Sequence, residues 1–255
     1  MTPSSKLLTH IACAGLLIAC TATSQARQVG WGSAVGDNLF DSSGSIAANN
    51  FMLDASFSFE IGVFANGFTP SSSNLSDWEA NWVVFDAANT SIIDSWTPEL
   101  GYFSSSANLN SNGTSSSASA NPASIFTQNQ VGYLWVFNDK AVASTSEWAL
   151  VTDLISTGNV GDNWRMPDPA DQISPSLFWA LQDADTVVFG GLNDVQGAGA
   201  YTNDPADDPN VVPLVDTGIT YSLQTHVVPE PGSALFLASA GFCWMLRKRR
   251  YRRAR

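Results

Sequence analysis

Short stretches in which apolar and polar residues alternate recur through the middle of the chain. Phe57–Val63 places four apolar side chains on one side and polar side chains between them, and Val131–Phe137 repeats the pattern. Alternation with period two is typical of half-buried β-strands. Further strands are predicted at Trp148–Thr152, Thr186–Phe189 and Ile219–Gln224.

The segments between these strands are rich in Ser, Asn, Gly and Asp, and good helix formers are scarce. Trp82–Phe85 and Ser91–Asp94 flank a five-residue loop and predict a hairpin. Short helical turns are predicted at Ser76–Trp82 or Pro175–Leu181. We therefore expect an all-β fold, a single β-sandwich or jelly-roll-like domain over residues 27–228.

Two stretches have too little apolar content to be ordered by burial. Ser104–Ser124 consists mainly of Ser, Asn and Ala, which predicts a long flexible loop within the domain. Asn203–Val215 contains three prolines and predicts a second irregular loop.

Residues 1–26 have the layout of a secretory signal peptide. Lys6 is followed by a mostly apolar stretch, Leu7–Cys20, and small residues stand at the −3 and −1 positions of Ser24-Gln25-Ala26. Cleavage is expected after Ala26. Alternatively, Leu17–Cys20 fits a lipoprotein signal, in which Cys20 becomes the lipidated N-terminus.

The C-terminus carries a second signal, residues 229–255. Pro229-Glu230-Pro231 precedes the apolar run Ser233–Leu246, whose 14 residues span about 21 Å as a helix. That is short for a bilayer, but flanking residues and snorkelling basic side chains make a span feasible. By the positive-inside rule, a basic cluster at 247–255 stops transfer on the cytoplasmic side. Its members are Arg247, Lys248, Arg249, Arg250, Arg252, Arg253 and Arg255.

This ordered set of motif, apolar span and basic end resembles the PEP-CTERM sorting domain. That family occurs in Gram-negative bacteria that make extracellular polysaccharide. The resemblance implies that the chain is first held in the inner membrane. An exosortase, a membrane-embedded transpeptidase, would then recognise the tail and cleave near Pro229-Glu230-Pro231. The stretch from Glu60 to Pro70, with the tryptophans that follow it, is similar to uncharacterised ectodomains carrying such tails.

Charge and composition narrow the chemistry of the ectodomain. Residues 27–228 carry 22 acidic and three basic side chains, a net charge of −19, so nucleic acid is excluded as a partner. They contain no cysteine, and their one histidine, His226, lies at the edge of the tail. Cysteine nucleophiles, Ser-His-Asp triads and the usual zinc sites are therefore excluded.

Three constellations could still bind or react. The first is a set of tryptophans near polar residues, expected to be exposed and able to stack on sugars: Trp78, Trp96, Trp164 and Trp179. In contrast, Trp82, Trp135 and Trp148 are expected in the core. The second is a calcium site formed by Asp204, Asp207 and Asp208, with Asp183, Asp185 and Asp194 as another option. The third is a glycosidase pair drawn from Glu60, Glu79, Glu99 and Glu147.

Together these features predict a non-enzymatic exported protein of the cell surface or extracellular matrix, without an obligatory cofactor. The polysaccharide matrix is a possible partner. A lectin-like glycan-binding module is the first alternative, and a glycoside hydrolase is the second.

Overall fold

A computed structural model describes residues 26–45, 50–92, 95–155, 163–193, 195–196 and 221–230. These residues form β-strands in three sheets joined by turns, which confirms the predicted all-β class. In chain order the strands are β1 (Arg27–Gly32), β2 (Asn38–Ser45), β3 (Asn50–Met52), β4 (Ser58–Phe64), β5 (Trp82–Ala88), β6 (Trp96–Thr97), β7 (Tyr102–Leu109), β8 (Tyr133–Phe137), β9 (Glu147–Thr152), β10 (Leu177–Ala180), β11 (Thr186–Phe189), β12 (Gly191–Leu192), β13 (Val195–Gln196), β14 (Ser222–Gln224) and β15 (His226–Val227).

The largest sheet is antiparallel throughout, in the order β11-β9-β8-β4-β5, and β15 pairs with the beginning of β9. A second sheet, β10-β1-β7-β6, contains one parallel pair, β1 with β10. The third sheet, β13-β12-β14-β2-β3, contains the parallel pair β14 with β2. Both parallel pairs join strands that are far apart in the chain.

The largest sheet is buried on both faces. One face carries Phe59, Ile61, Leu134 and Val136, which pack against the second and third sheets in the first core. The opposite face carries an aromatic cluster, which forms the second core and includes Trp82, Trp135, Phe137, Trp148 and Phe189. Because alternate residues of β8 and β9 enter different cores, these strands are almost continuously apolar.

The second core is covered by the segment between β4 and β5. It contains a 3₁₀ turn (Leu75–Asp77) and the short helix α1 (Trp78–Asn81), which confirms the helical turn predicted at Ser76–Trp82. Trp78 is fully buried and stacks on Trp148 at a centroid distance of 5.5 Å. The predicted core positions Trp82, Trp135 and Trp148 are likewise confirmed, with at most 9% of each residue exposed.

The predicted strands at residues 57–63, 131–137, 148–152 and 186–189 are confirmed by β4, β8, β9 and β11. The strand predicted at 219–224 is confirmed where it is described, as β14.

Three local predictions are wrong. The first concerns Ser104–Ser124, where β7 extends to Leu109 and pairs with β1, so this part is not a flexible loop.

Beyond β7 the chain remains hydrogen-bonded. The N–H of Ser116 donates to Asn108 O (2.9 Å), and the N–H of Phe126 donates to Gly113 O (2.7 Å). Phe126 is fully buried against Phe85, at a centroid distance of 5.0 Å. The serine-rich segment is therefore ordered by backbone hydrogen bonds and by an apolar residue that follows it.

The other two corrections concern strand boundaries. The hairpin predicted between Trp82–Phe85 and Ser91–Asp94 is wrong, because β5 continues through Asp86 to Ala88. It pairs with β4 and lies beside β7. A helical turn was also expected at Pro175–Leu181, but residues 177–180 form β10, which pairs with β1. In both places a partner distant in the chain determines the conformation.

Candidate functional site

An open cleft of about 260 Å³ lies at the end of the second sheet where β1 and β10 begin. Two basic side chains line it, Arg27 and Arg165, together with two acidic ones, Asp168 and Asp171. The remaining lining is formed by amide and apolar side chains: Gln128, Asn129, Asn163, Met166, Pro167 and Leu177.

Arg27 forms one wall because it is the first residue of β1 and its side chain points inward, like those of Val29 and Trp31. Its Nε donates to Pro175 O at 3.2 Å, and its Nη1 lies 3.4 Å from Asp171 Oδ2. Hydrogen bonds from Ser174, its hydroxyl foremost, lower the pKa of Asp171, and the charge of Arg27 adds to this effect. This ion pair is thus fixed at the cleft wall.

The opposite wall is built by two segments that run side by side. Val131 and Arg165 form an antiparallel bridge, and the N–H of Met166 donates to Gln130 O at 2.9 Å. The guanidinium of Arg165 donates through Nη1 to Asn129 O at 3.0 Å. Asn129 has a φ of +67°, a left-handed conformation that asparagine tolerates better than most residues.

Sequence reasoning did not identify this cleft, because its walls come from segments far apart in the chain and match no motif. One signal was present: Arg27 and Arg165 are two of the three basic residues between residues 27 and 228. Their convergence on one cleft could not be deduced from the sequence, but their rarity singled them out.

The expectation that four tryptophans are exposed is wrong. Trp78, Trp96, Trp164 and Trp179 are each at most 4% exposed. Trp164 and Trp179 stack on each other at 6.0 Å with an interplanar angle of 15°, and Trp96 packs on Phe59 at 4.7 Å. Their polar sequence neighbours occupy the surface while the indoles point into the core, so none of these rings offers a face to a sugar.

The carboxylates proposed as a glycosidase pair have other roles or are isolated. Glu60 Oε2 accepts hydrogen bonds from Lys140 Nζ (2.6 Å) and Trp82 Nε1 (2.7 Å). Glu147 accepts three, from the Ser42 N–H, the Ser42 hydroxyl and the Thr225 hydroxyl, each at 2.8 Å. Glu79 and Glu99 are exposed.

Of the predicted calcium ligands, Asp204, Asp207, Asp208 and Asp194 lie outside the described residues. Among the described residues, no group of three or more acidic, histidine or cysteine side chains is arranged to hold a metal. Asp183 and Asp185 instead neighbour Asp153, a buried residue that the sequence did not single out. Burial first, and then the nearby charge of Asp185, raise the pKa of Asp153 to about 7.

The predicted sorting motif begins directly after the last buried residue that the structure describes. Val228 is fully buried and its N–H donates to Ser146 O at 2.8 Å, whereas Pro229 and Glu230 are exposed. Pro231, the predicted span 233–246 and the basic cluster lie outside the described residues, as does Cys20. Within the described part of the chain, no helix has the length and apolarity needed to cross a membrane.

Comparison with known proteins yields no relative: no family model, no curated protein and no solved structure matches the chain.

Proposed function

We propose that this chain is a non-enzymatic exported protein that is anchored in the inner membrane, processed by an exosortase-type transpeptidase and delivered to the cell surface or matrix. Residues 27–228 would form its working part, a single sandwich-like acidic domain. The signal peptide 1–26 and the tail 229–255 would direct the processing.

One observation supports this proposal most strongly: the folded domain fits between the two predicted processing points. β1 begins at Arg27, the residue after the predicted cleavage site, and Arg27 is already buried. The last buried residue that the structure describes, Val228, directly precedes the exposed Pro229 and Glu230. Cleavage at either point would therefore leave every described strand intact.

The distance between fold and membrane also fits a tail that is cut close to the bilayer. Val228 is fixed to the fold, and the apolar run begins at Ser233, so residues 229–232 connect them. Four extended residues reach at most about 14 Å. A membrane-embedded enzyme could reach the motif within this short distance of the bilayer while the domain stays folded.

The test is to replace Pro229, Glu230 and Pro231 with alanine in the full-length chain and express it in the native host. We expect export to continue, because the signal peptide is intact, and full-length protein to accumulate in the membrane fraction. Intact mass and detergent partitioning distinguish this product from a processed one.

The matched control replaces Pro122 and Glu99, which are exposed residues of the domain, with alanine. It should be processed as the wild type is. Release of the motif variant at the wild-type rate, with the same C-terminus, would refute the sorting role. A wild-type protein that still ends at Arg255 would also refute it.

A further inference from the structure

We propose that the cleft between Arg27 and Arg165 binds a neutral sugar unit of an extracellular polysaccharide. This inference gives the proposed surface protein a ligand, and its location outside the cell rests on the proposed function. The residues that contact the sugar would be those of the cleft and not the tryptophans, which are buried.

The polar lining matches the chemistry of a sugar. Vicinal hydroxyls each donate and accept hydrogen bonds at neighbouring atoms, and planar side chains with two adjacent polar atoms pair with them. The guanidinium of Arg165 has five N–H donors, of which one is used on Asn129 O. The amides of Asn129 and Asn163 add donors and acceptors, and the carboxylates of Asp168 and Asp171 add acceptors.

The apolar part of the lining is small. Met166, Pro167 and Leu177 line the cleft, but all three are buried, with Met166 and Leu177 at most 8% exposed. The C–H faces of a pyranose therefore find little apolar contact here. Recognition of the sugar rests on hydrogen bonds from the polar side chains to its hydroxyls.

The polar side chains are held in position before a ligand arrives. Arg27 is fixed by Asp171 and by Pro175 O, and Arg165 is fixed by Asn129 O. Asn129 adopts its left-handed conformation in the same wall. Side chains that are already ordered lose less conformational entropy on binding, which favours affinity.

Charge decides between a neutral and an acidic sugar. Within the cleft the two arginines are balanced by Asp168 and Asp171, whereas residues 27–228 as a whole carry a net charge of −19. A uronic acid would approach a strongly negative domain, and the carboxylates at the site offset the attraction of the arginines. A neutral hexose avoids the repulsion by the domain as a whole, which favours it.

The experiment uses the full-length chain in detergent micelles on an array of neutral hexose oligosaccharides and their uronate counterparts. Hits are then titrated by calorimetry with wild type, Arg165→Met and Asn129→Gly. The glycine variant keeps the positive φ and removes the amide side chain. The control is Gln28→Ala, an exposed side chain on the outer face of β1.

We expect a neutral oligosaccharide to bind the wild type and the Gln28 variant equally. Loss of hydrogen bonds from a charged group should weaken binding by Arg165→Met at least about tenfold. Thermal melting checks that each variant is folded. An empty array, tighter binding of uronates, or equal binding by wild type and Arg165→Met would overturn the proposal.

These outcomes are independent of tail processing, since the purified chain is tested directly. A chain that is processed normally but binds no sugar would refute the cleft proposal alone. A chain that binds sugar but keeps its tail in the native host would refute the sorting proposal alone.

Discussion

Replacing Asp153 with asparagine tests the electrostatics of the carboxyl pair beyond the end of β9. Asp153 is 3% exposed and follows Thr152, which accepts a backbone hydrogen bond from Asp185 at 3.2 Å. Burial opposes ionisation of Asp185, but hydrogen bonds from the Thr186 hydroxyl and from the N–H groups of Leu154 and Ile155 outweigh it and lower the pKa of Asp185. The two carboxyls therefore share one proton, which resides on Asp153.

The size of the effect follows from the pKa of Asp153, which rises from 3.8 in the unfolded chain to about 7 in the folded protein. Below pH 4 the carboxyl is protonated in both states and has no effect on folding. Between pH 4 and pH 7 the unfolded chain has released this proton while the folded protein keeps it, so the free energy of unfolding falls across this window by roughly 4 kcal/mol in all and then levels off. The lowered pKa of Asp185 affects stability only below about pH 4, where protonation of its carboxylate destabilises the folded state, so it leaves the loss between pH 4 and pH 7 unchanged.

Asp153→Asn removes the titration but keeps an N–H donor for Asp185. We expect the variant to match the wild type at pH 4.5 and to exceed it by about 2–4 kcal/mol at pH 8, measured by urea denaturation across this range. Asp77→Asn, at an exposed position, is the control for the substitution itself. Parallel stability profiles for the Asp153 variant and the wild type would contradict the assignment of the proton.

Two further substitutions test the packing by the same denaturation assay. Trp78→Ala should lower the free energy of unfolding by about 3–5 kcal/mol, because Trp78 is fully buried. Phe178→Ala should change the free energy of unfolding by less than about 0.5 kcal/mol, since Phe178 is 56% exposed. Equal effects of Trp78→Ala and Phe178→Ala would count against the second core. Glu147→Gln should lower the free energy of unfolding by roughly 2 kcal/mol, because its new NH₂ group would face donors from Ser42 and Thr225. An unchanged urea midpoint would show that these hydrogen bonds do not contribute to stability.

Local patterning predicted the strands of the largest sheet well. β4, β8, β9 and β11 each carry a dense apolar sequence, and this density exists because both faces of the sheet are covered. The pattern did not reveal the second core. Val131–Phe137 was expected to bury one face, yet Leu134 and Val136 are buried on the other.

The failures share a physical cause: polar residues whose partners are distant in the chain. Asp86 interrupts the apolar run of β5 and therefore suggested a loop, but its carboxylate accepts hydrogen bonds from Trp31 Nε1 and the Ser105 hydroxyl, both at 2.8 Å. Such a group can be buried because its hydrogen bonds are satisfied. Ser105 belongs to the segment expected to be flexible, so one contact explains both errors.

The same reasoning explains why the candidate cleft was invisible in the sequence. A polar residue acquires a role when folding brings a complementary group to it, and neither Arg27 nor Asp171 has that group nearby in the chain. Their pairing depends on the parallel alignment of β1 with β10, which local sequence does not encode. In a domain this poor in cations, each buried or cleft-lining arginine has a specific partner or ligand to account for it. Arg27 is accounted for by Asp171 and Pro175, whereas Arg165 lines the cleft and its guanidinium makes one hydrogen bond, to Asn129 O, so Arg165 is the residue at which the proposed ligand is best tested.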